Sequence, residues 1–101
     1  MEFKTTNGTE ITWLENKLNE LCVTTWQGYS PERGETQSIK RVFFRVDVKE
    51  NTVRAVQAEI KYGLSPWQSV IQAAYILSDT MKRAVRKAVA LKYGKAYFRL
   101  V

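Results

Sequence analysis

Residues 40–48 alternate between two kinds of side chain, and this alternation constrains the fold more than any other stretch. Every second residue from Val42 to Val48 is apolar, which is the two-residue period of a β-strand with one face in a core. The other face carries Arg41, Phe43, Arg45 and Asp47. In a small domain only one face of a sheet can meet solvent, so we expect one of these two faces to be buried.

The following segment predicts a partner strand at Thr52–Tyr62. Its apolar face is Val56, Ala58, Ile60 and Tyr62. A three-residue loop at residues 50–52 pairs apolar with apolar residues: Val46 with Val56, Phe44 with Ala58, and Val42 with Ile60. A two-residue loop would instead place a glutamine on the core face. Because a slip of one residue turns every side chain to the other face, the pattern favours an odd-length loop.

The N-terminal segment has two interpretations. Residues 3–6 are typical of a short strand, and Asn7-Gly8 is a strong signal for a tight turn. Residues 9–13 then form either the return strand of a hairpin or the start of a helix with an apolar stripe of Ile11, Leu14, Leu18 and Leu21. We favour the helix, because Thr12 and Glu15 match a capping box. A strand at Cys22–Gln27 and a mobile polar loop at about residues 28–38 follow.

The C-terminal third predicts a long helix. Ser65-Pro66 is a typical helix start, and Gly94 is a typical stop after Tyr93. The predicted core stripe of this helix is Trp67, Val70, Ala74, Leu77, Met81, Val85 and Ala88. Residues 78–80 offer an internal cap, where the helix is expected to kink or restart. Residues 95–101 are typical of a closing strand.

These elements predict a single α+β domain over residues 1–101, in the approximate order β-α-β-β-β-α-β. A small antiparallel sheet of about three to five strands packs against an N-terminal helix and a long basic C-terminal helix. From Met1 to about Lys92 this order resembles that of the ribosome hibernation-promoting factors. Its α-β-β-β-α core also resembles double-stranded RNA-binding domains. Both resemblances concern element order alone and assign no site residue.

The residue inventory argues against most catalytic chemistry. The chain has no histidine and a single cysteine, Cys22, which excludes Ser-His-Asp and Cys-His catalysis and zinc sites built from His and Cys. The five glycines stand singly, so no glycine-rich phosphate loop is present. The close acidic spacings, Glu10/Glu15/Glu20 and Glu32/Glu35, are typical of a solvated helix face and a polar loop. We therefore predict a non-enzymatic protein without a metal or cofactor.

The number of cysteines and the hydropathy of the chain help to predict its cellular compartment. A lone cysteine cannot form an internal disulfide, which favours a reducing environment. No run of 18 apolar residues is present, and residues 1–4 do not start an apolar signal segment. We expect a cytoplasmic protein that does not enter a membrane.

Positive charge is concentrated toward the C-terminus. The formal net charge is +6. Residues 1–38 carry a net −3 and residues 39–101 a net +9, and the last twenty residues hold seven basic residues and no acidic one. Such asymmetry favours contact with a polyanion.

Two sets of residues are candidates for that contact. On a helical projection Lys82, Arg83, Arg86 and Lys87 lie away from the apolar stripe, with only Asp79 in reach to pair with Lys82 or Arg83. The strand face of Arg41, Phe43 and Arg45 alternates cation and aromatic, as in surfaces that stack bases and hold phosphates. Trp26, Tyr29 and Arg33 are similar candidates. The alternatives are a solvated helix face, a strand face packed under a helix, and a core position for Trp26.

The predicted function is nucleic-acid binding, to DNA or RNA, mainly through phosphates and with single strands as one option. The alternative is an interaction module or small inhibitor that docks on an acidic protein partner, since the same cations serve both. Exposed Phe43, Trp26 or Tyr29 beside the cations favours nucleic acid, whereas an exposed apolar patch without cations favours a protein partner. Homo-oligomer formation stays open.

Overall fold

Successive strands pair side by side to form one sheet. The structure is a computed structural model that describes residues 8–27, 38–63, 65–72, 77–94 and 98–101. Its elements are β1 (Gly8–Trp13), β2 (Glu20–Gln27), β3 (Ser38–Asp47), β4 (Thr52–Tyr62), β5 (Gln68–Val70), α1 (Asp79–Tyr93) and β6 (Arg99–Leu100). Strands β1 to β5 pair antiparallel in chain order, and β6 pairs in parallel with β4.

One face of the sheet and one side of α1 form the core. The sheet contributes Leu21, Val23, Val42, Phe44, Val46, Val53 and Ala58, all nearly or fully buried. The helix contributes Met81, Val85 and Val89, which recur every four residues and so lie on one side. Because strand neighbours point to opposite faces, Arg41, Phe43 and Arg45 lie on the face away from α1. We call it the open face.

A bulge in β4 gives the sheet its continuous apolar face. Phe43 pairs with Gln57 whereas Phe44 pairs with Ala55, so Val56 is an extra residue on β4. The predicted three-residue loop and its pairing of Val46 with Val56 are therefore wrong. Residues 48–51 form a four-residue turn, and the partners of Val42, Phe44 and Val46 are Ala58, Ala55 and Val53. The bulge lets Val53 and Ala58 face the core together and leaves Val56 41% exposed.

The predicted N-terminal helix is wrong, because residues 8–13 form β1. Ile11 and Trp13 face the core from this strand, opposite Val23 and Leu21 of β2. Leu18, which the helical stripe placed in the core, is 87% exposed. The chain reverses before β2 at Asn19, whose φ of 62° is left-handed, and the Leu14 N–H donates to the Glu20 carbonyl. Strand pairing here outweighs a helical spacing of only four residues.

The predicted long helix begins thirteen residues later than Pro66, at Asp79. Ser78 is its N-cap and accepts a hydrogen bond from the Met81 N–H at 3.2 Å, so the internal cap is the true start. Gly94 ends it at a φ of 67°, as predicted. Residues 68–70, assigned to the helix from the sequence, form β5 on the edge of β4. The predicted fold class is thus wrong: the described chain is mostly sheet with one C-terminal helix.

The other predicted strands agree more closely with the structure. The segments at residues 22–27 and 40–48 lie within or almost within β2 and β3, and β4 has the predicted bounds. The closing strand is shortened to β6, and residues 95–97 lie outside the described residues. So do the predicted strand at residues 3–6 and nearly all of the predicted loop at about residues 28–38, although Ser38 begins β3. Without an N-terminal helix, the element order matches neither resembled family.

The outer edge of β4 is shared by two short strands. Strand β5 pairs with residues 58–60, and β6 pairs with Thr52 and Val53. The Val101 N–H donates to the Val53 carbonyl at 2.9 Å and extends this second contact. Between the two, residues 54–57 have no strand partner on that side in the part of the chain that the structure describes. Within the same ranges, no helix has the length and apolar character to cross a bilayer.

Phe44→Ala should lower the free energy of unfolding by about 3–5 kcal/mol, because Phe44 is the largest fully buried side chain among the described residues. Chemical denaturation measures this loss. Phe43→Ala is the matched control on the open face, where the ring is half-buried, and should cost clearly less. A loss below about 1 kcal/mol for Phe44→Ala would mean that the faces of β3 are assigned the wrong way round.

Candidate nucleic-acid interface

The two predicted cationic surfaces lie on opposite sides of the sheet. We call Lys82, Arg83, Arg86 and Lys87 the cationic helix face; they belong to α1, which packs on the core side. Arg41, Phe43 and Arg45 lie on the open face of β3. The fold therefore brings together the members of each set but not the two sets.

The buried stripe of α1 sets the orientation of the cationic helix face. With Met81, Val85 and Val89 against the sheet, the 100° step places Arg83 and Lys87 on the opposite side of the helix. Arg86 projects from the flank and is exposed like these two, whereas Lys82 is half-buried. The Ser78 cap fixes the residue at which the helix begins.

The cations of this face have no ionic partner among the described residues. The ion pairs found in those ranges join other residues, and Asp79, the one acid in helical reach, pairs with neither Lys82 nor Arg83. Four like charges within six residues repel one another. A ligand with closely spaced negative charges therefore relieves the repulsion between these cations.

Arg41, in contrast, is held by neighbours on the open face. Its Nε donates to Glu59 Oε1 at 2.6 Å, directly across from β3 to β4. Its guanidinium carbon lies 3.7 Å from the ring centre of Trp67 and 5.5 Å from that of Phe43. A guanidinium stacked on an indole and paired with a half-buried carboxylate is already stabilised. Its positive charge is largely neutralised, although its terminal amino groups make no hydrogen bond to described residues.

Arg45 is held less tightly. Its Nε donates to Glu20 Oε2 at 3.3 Å, and the two residues face each other in the pairing of β2 with β3. The Arg45 side chain is 62% exposed, whereas that of Glu20 is 10% exposed. The pair fixes one edge of the guanidinium and leaves the other toward solvent.

Aromatic rings lie beside these arginines. Trp26, Phe43 and Trp67 are all half-buried, and Trp26 belongs to the open face of β2. A side chain at Gly8 would place its Cβ about 2 Å from the Trp26 ring, so this close approach requires glycine. Trp67 was predicted to lie on the core stripe of a helix and carried no signal for its place over Arg41. Tyr29 and Arg33 lie outside the described residues.

Within the described ranges the potential metal-ligating side chains are scattered, and the single thiol is buried. No cluster of three or more His, Cys, Asp or Glu residues that could hold a metal is found within the described ranges. Cys22 is a free, buried thiol beside Thr24. Burial raises the pKa of the Cys22 thiol, and the Thr24 hydroxyl and the Arg41 charge oppose this rise without cancelling it. A neutral, buried thiol is a poor nucleophile.

Comparison of the chain with protein-family models, curated proteins and solved structures finds no match. The interface is therefore judged on its own geometry and charge.

Cys22 should react with iodoacetamide at pH 8 at least about tenfold more slowly in the folded protein than in urea, because burial limits both access and thiolate formation. Mass spectrometry of timed samples measures the alkylated fraction. The urea-unfolded chain at the same pH is the control. Equal rates in the two states would show that the thiol is accessible and contradict its assigned burial.

Proposed function

We propose that this protein binds nucleic acid without catalysis, through phosphate contacts from the cationic helix face. The supporting observation is that Lys82, Arg83, Arg86 and Lys87 have no ionic partner among the described residues. Each phosphate contact releases condensed counterions from the nucleic acid, which favours binding. The net charge of +6 adds long-range attraction.

The helix face is the stronger candidate because its charge is uncompensated. On the open face Arg41 and Arg45 are each paired with a carboxylate, which weakens their attraction for a phosphate. From Lys82 to Lys87 the helix rises about 7.5 Å, at 1.5 Å per residue. That length corresponds to roughly two base-pair steps measured along the axis of a duplex, so the face can engage about two to three phosphates at a time.

The open face supplies a second, weaker contact in this proposal. Phe43 lies between Arg41 and Arg45 along β3, and Trp67 adds a second ring. Half-buried rings beside arginines are suited to stack unpaired bases, which favours single strands over duplex. Because this face lies on the far side of the sheet, a short oligonucleotide cannot occupy both surfaces.

The alternative partner is an acidic protein surface, which the same helix cations would serve. Trp26 and Phe43 lie half-buried on the face that carries Arg41 and Arg45, and rings beside cations favour nucleic acid at this second contact. We also propose a cytoplasmic location, because the single cysteine is an unpaired buried thiol.

The double variant Arg83→Gln/Arg86→Gln should weaken binding similarly for all sequences, because phosphate contacts carry no base readout. The slope of log affinity against log salt should become shallower by roughly one to two units, at about 0.7 per contact for single strands and 0.9 for duplex. Fluorescence titration with labelled single- and double-stranded DNA and RNA at several salt concentrations measures both quantities. Folding should change little, since both residues are exposed.

The control is Lys17→Gln/Arg99→Gln, which removes two positive charges from exposed positions outside α1. It should keep the salt slope of the original protein. A helix double variant that folds normally and binds with unchanged affinity and slope would contradict the helix-face proposal. Binding to an acidic protein but to none of the four nucleic acids would favour the alternative partner.

A further inference from the structure

A groove at the turn between β3 and β4 gathers cations from three separate positions. Its volume is about 560 Å³, and its lining includes Arg45, Lys49, Arg54, Asp47 and Asn19. Asn19 comes from the chain reversal before β2, so the groove joins two loops at one end of the sheet. Neither Lys49, Arg54 nor Asn19 belongs to the interface described above.

The cross-strand pairing sets two arginines against each other. Arg45 of β3 lies directly opposite Arg54 of β4, on the same face of the sheet. Side chains in such pairs have Cβ atoms roughly 5 Å apart, and like charges at that distance destabilise a sheet. The exposed Lys49 in the turn adds a third positive charge. An anion bound between the arginines relieves this repulsion.

The carboxylates nearby compensate this charge only in part. Glu20 binds the Nε edge of Arg45 and does not line the groove, so it orients the guanidinium while the terminal amino groups make no hydrogen bond to described residues. Asp47 lines the groove, but its Oδ1 accepts the Glu50 N–H at 3.0 Å within the turn. It forms no ion pair in the described ranges. The lining itself thus carries three cations against one carboxylate, and Glu20 from outside it offsets part of the Arg45 charge.

A hydroxyl and an apolar wall complete the groove. Asn19 also lines it, but its side chain accepts a hydrogen bond from the Tyr93 hydroxyl of α1 and so points to the core side of the sheet. Thr52 contributes a hydroxyl, and Val48 and the bulged Val56 contribute apolar surface. The volume lies in the usual range for small-molecule sites and exceeds the needs of a bare phosphate.

We propose that Arg45, Lys49 and Arg54 form a binding site for a phosphate monoester at the end of the β3–β4 hairpin. The dianionic phosphate lies between the two arginines, and Lys49 donates to its oxygens. The group that carries the phosphate packs against Val48 and Val56. This site lies apart from the cationic helix face, so each can fail without the other.

Titration with inorganic phosphate, followed by amide chemical shifts and calorimetry at low salt, tests the site. Saturable shifts are expected at residues 45–54 and at Asn19. Arg54→Gln should weaken phosphate binding by about 10- to 100-fold, the usual effect of removing a charge-assisted hydrogen bond. Lys61→Gln is the matched control, since it removes a charge from the same strand outside the groove lining, and should change the affinity less than about twofold.

Thermal unfolding gives an independent readout. Phosphate should raise the melting midpoint of the original protein and of Lys61→Gln, because a ligand that binds only the folded state stabilises it, and should raise that of Arg54→Gln clearly less. Equal phosphate affinity in all three proteins, or shifts confined to α1, would overturn the proposal. The Arg83→Gln/Arg86→Gln variant should keep the phosphate response even where it loses nucleic acid.

Two sources of the phosphate, strand ends and small ligands, are distinguished by binding measurements on the Arg83→Gln/Arg86→Gln variant. The probes are a nucleoside 5′-monophosphate and a short single strand with either a 5′-phosphate or a 5′-hydroxyl. Tighter binding of the phosphorylated strand, lost on Arg54→Gln, supports the site and assigns it to strand ends. Binding of the mononucleotide without a difference between the strands supports it and assigns it to small ligands. Failure of every phosphorylated probe to bind better than its unphosphorylated form overturns it.

Discussion

The single extra residue in β4 is the constraint on which this structure depends. The apolar residues of β4 fall at odd positions before the bulge and at even positions after it, as Val53 and Ala58 show. An uninterrupted strand would place one of these sets on the wrong face. With Val56 looped out, the sheet offers one continuous apolar face, and Met81, Val85 and Val89 have a surface on which to pack. The position of α1, and so of its cations, follows from that packing.

The same extra residue determines which charged side chains lie next to each other at the end of the sheet. In the register predicted from the sequence, Arg54 would lie opposite Val48 and point toward the core face. The bulge turns it to the open face, opposite Arg45. Charge is therefore distributed in three ways across the described surface: Arg41 is paired and stacked, Arg45 is partly paired, and the helix cations have no ionic partner there. Fold and electrostatics are coupled through one backbone irregularity.

Strand patterns could be predicted from the sequence wherever the two-residue period was strong. The alternation in β3 and the end of α1 at Gly94 are local signals, and both predictions hold. The N-terminal helix failed because residues 9–13 suit either a return strand or the start of a helix, and pairing with β2 decided between them. The bulge was missed because nothing in the sequence of β4 marks it, and the helix start was placed at Pro66 although Ser78 offered a competing cap.

For the candidate interface, the sequence grouped the correct neighbours without showing their partners. Lys82, Arg83, Arg86 and Lys87 share a face because helical geometry is local. The carboxylates on Arg41 and Arg45 come from other strands, and Trp67 reaches Arg41 from beyond β4. Such contacts depend on strand order and register, which single-sequence patterns do not specify.

The interrupted outer edge of β4 has a consequence for self-association. A long, flat strand edge with free N–H and C=O groups is a template on which a second chain can add and begin an aggregate. Here β5 and β6 occupy the two ends of that edge and leave only residues 54–57 between them in the described chain. That gap contains the bulge, which breaks the repeat of hydrogen-bonding groups, and the exposed charge of Arg54. The irregularity that completes the core thus also limits the addition of a further strand along this edge of β4.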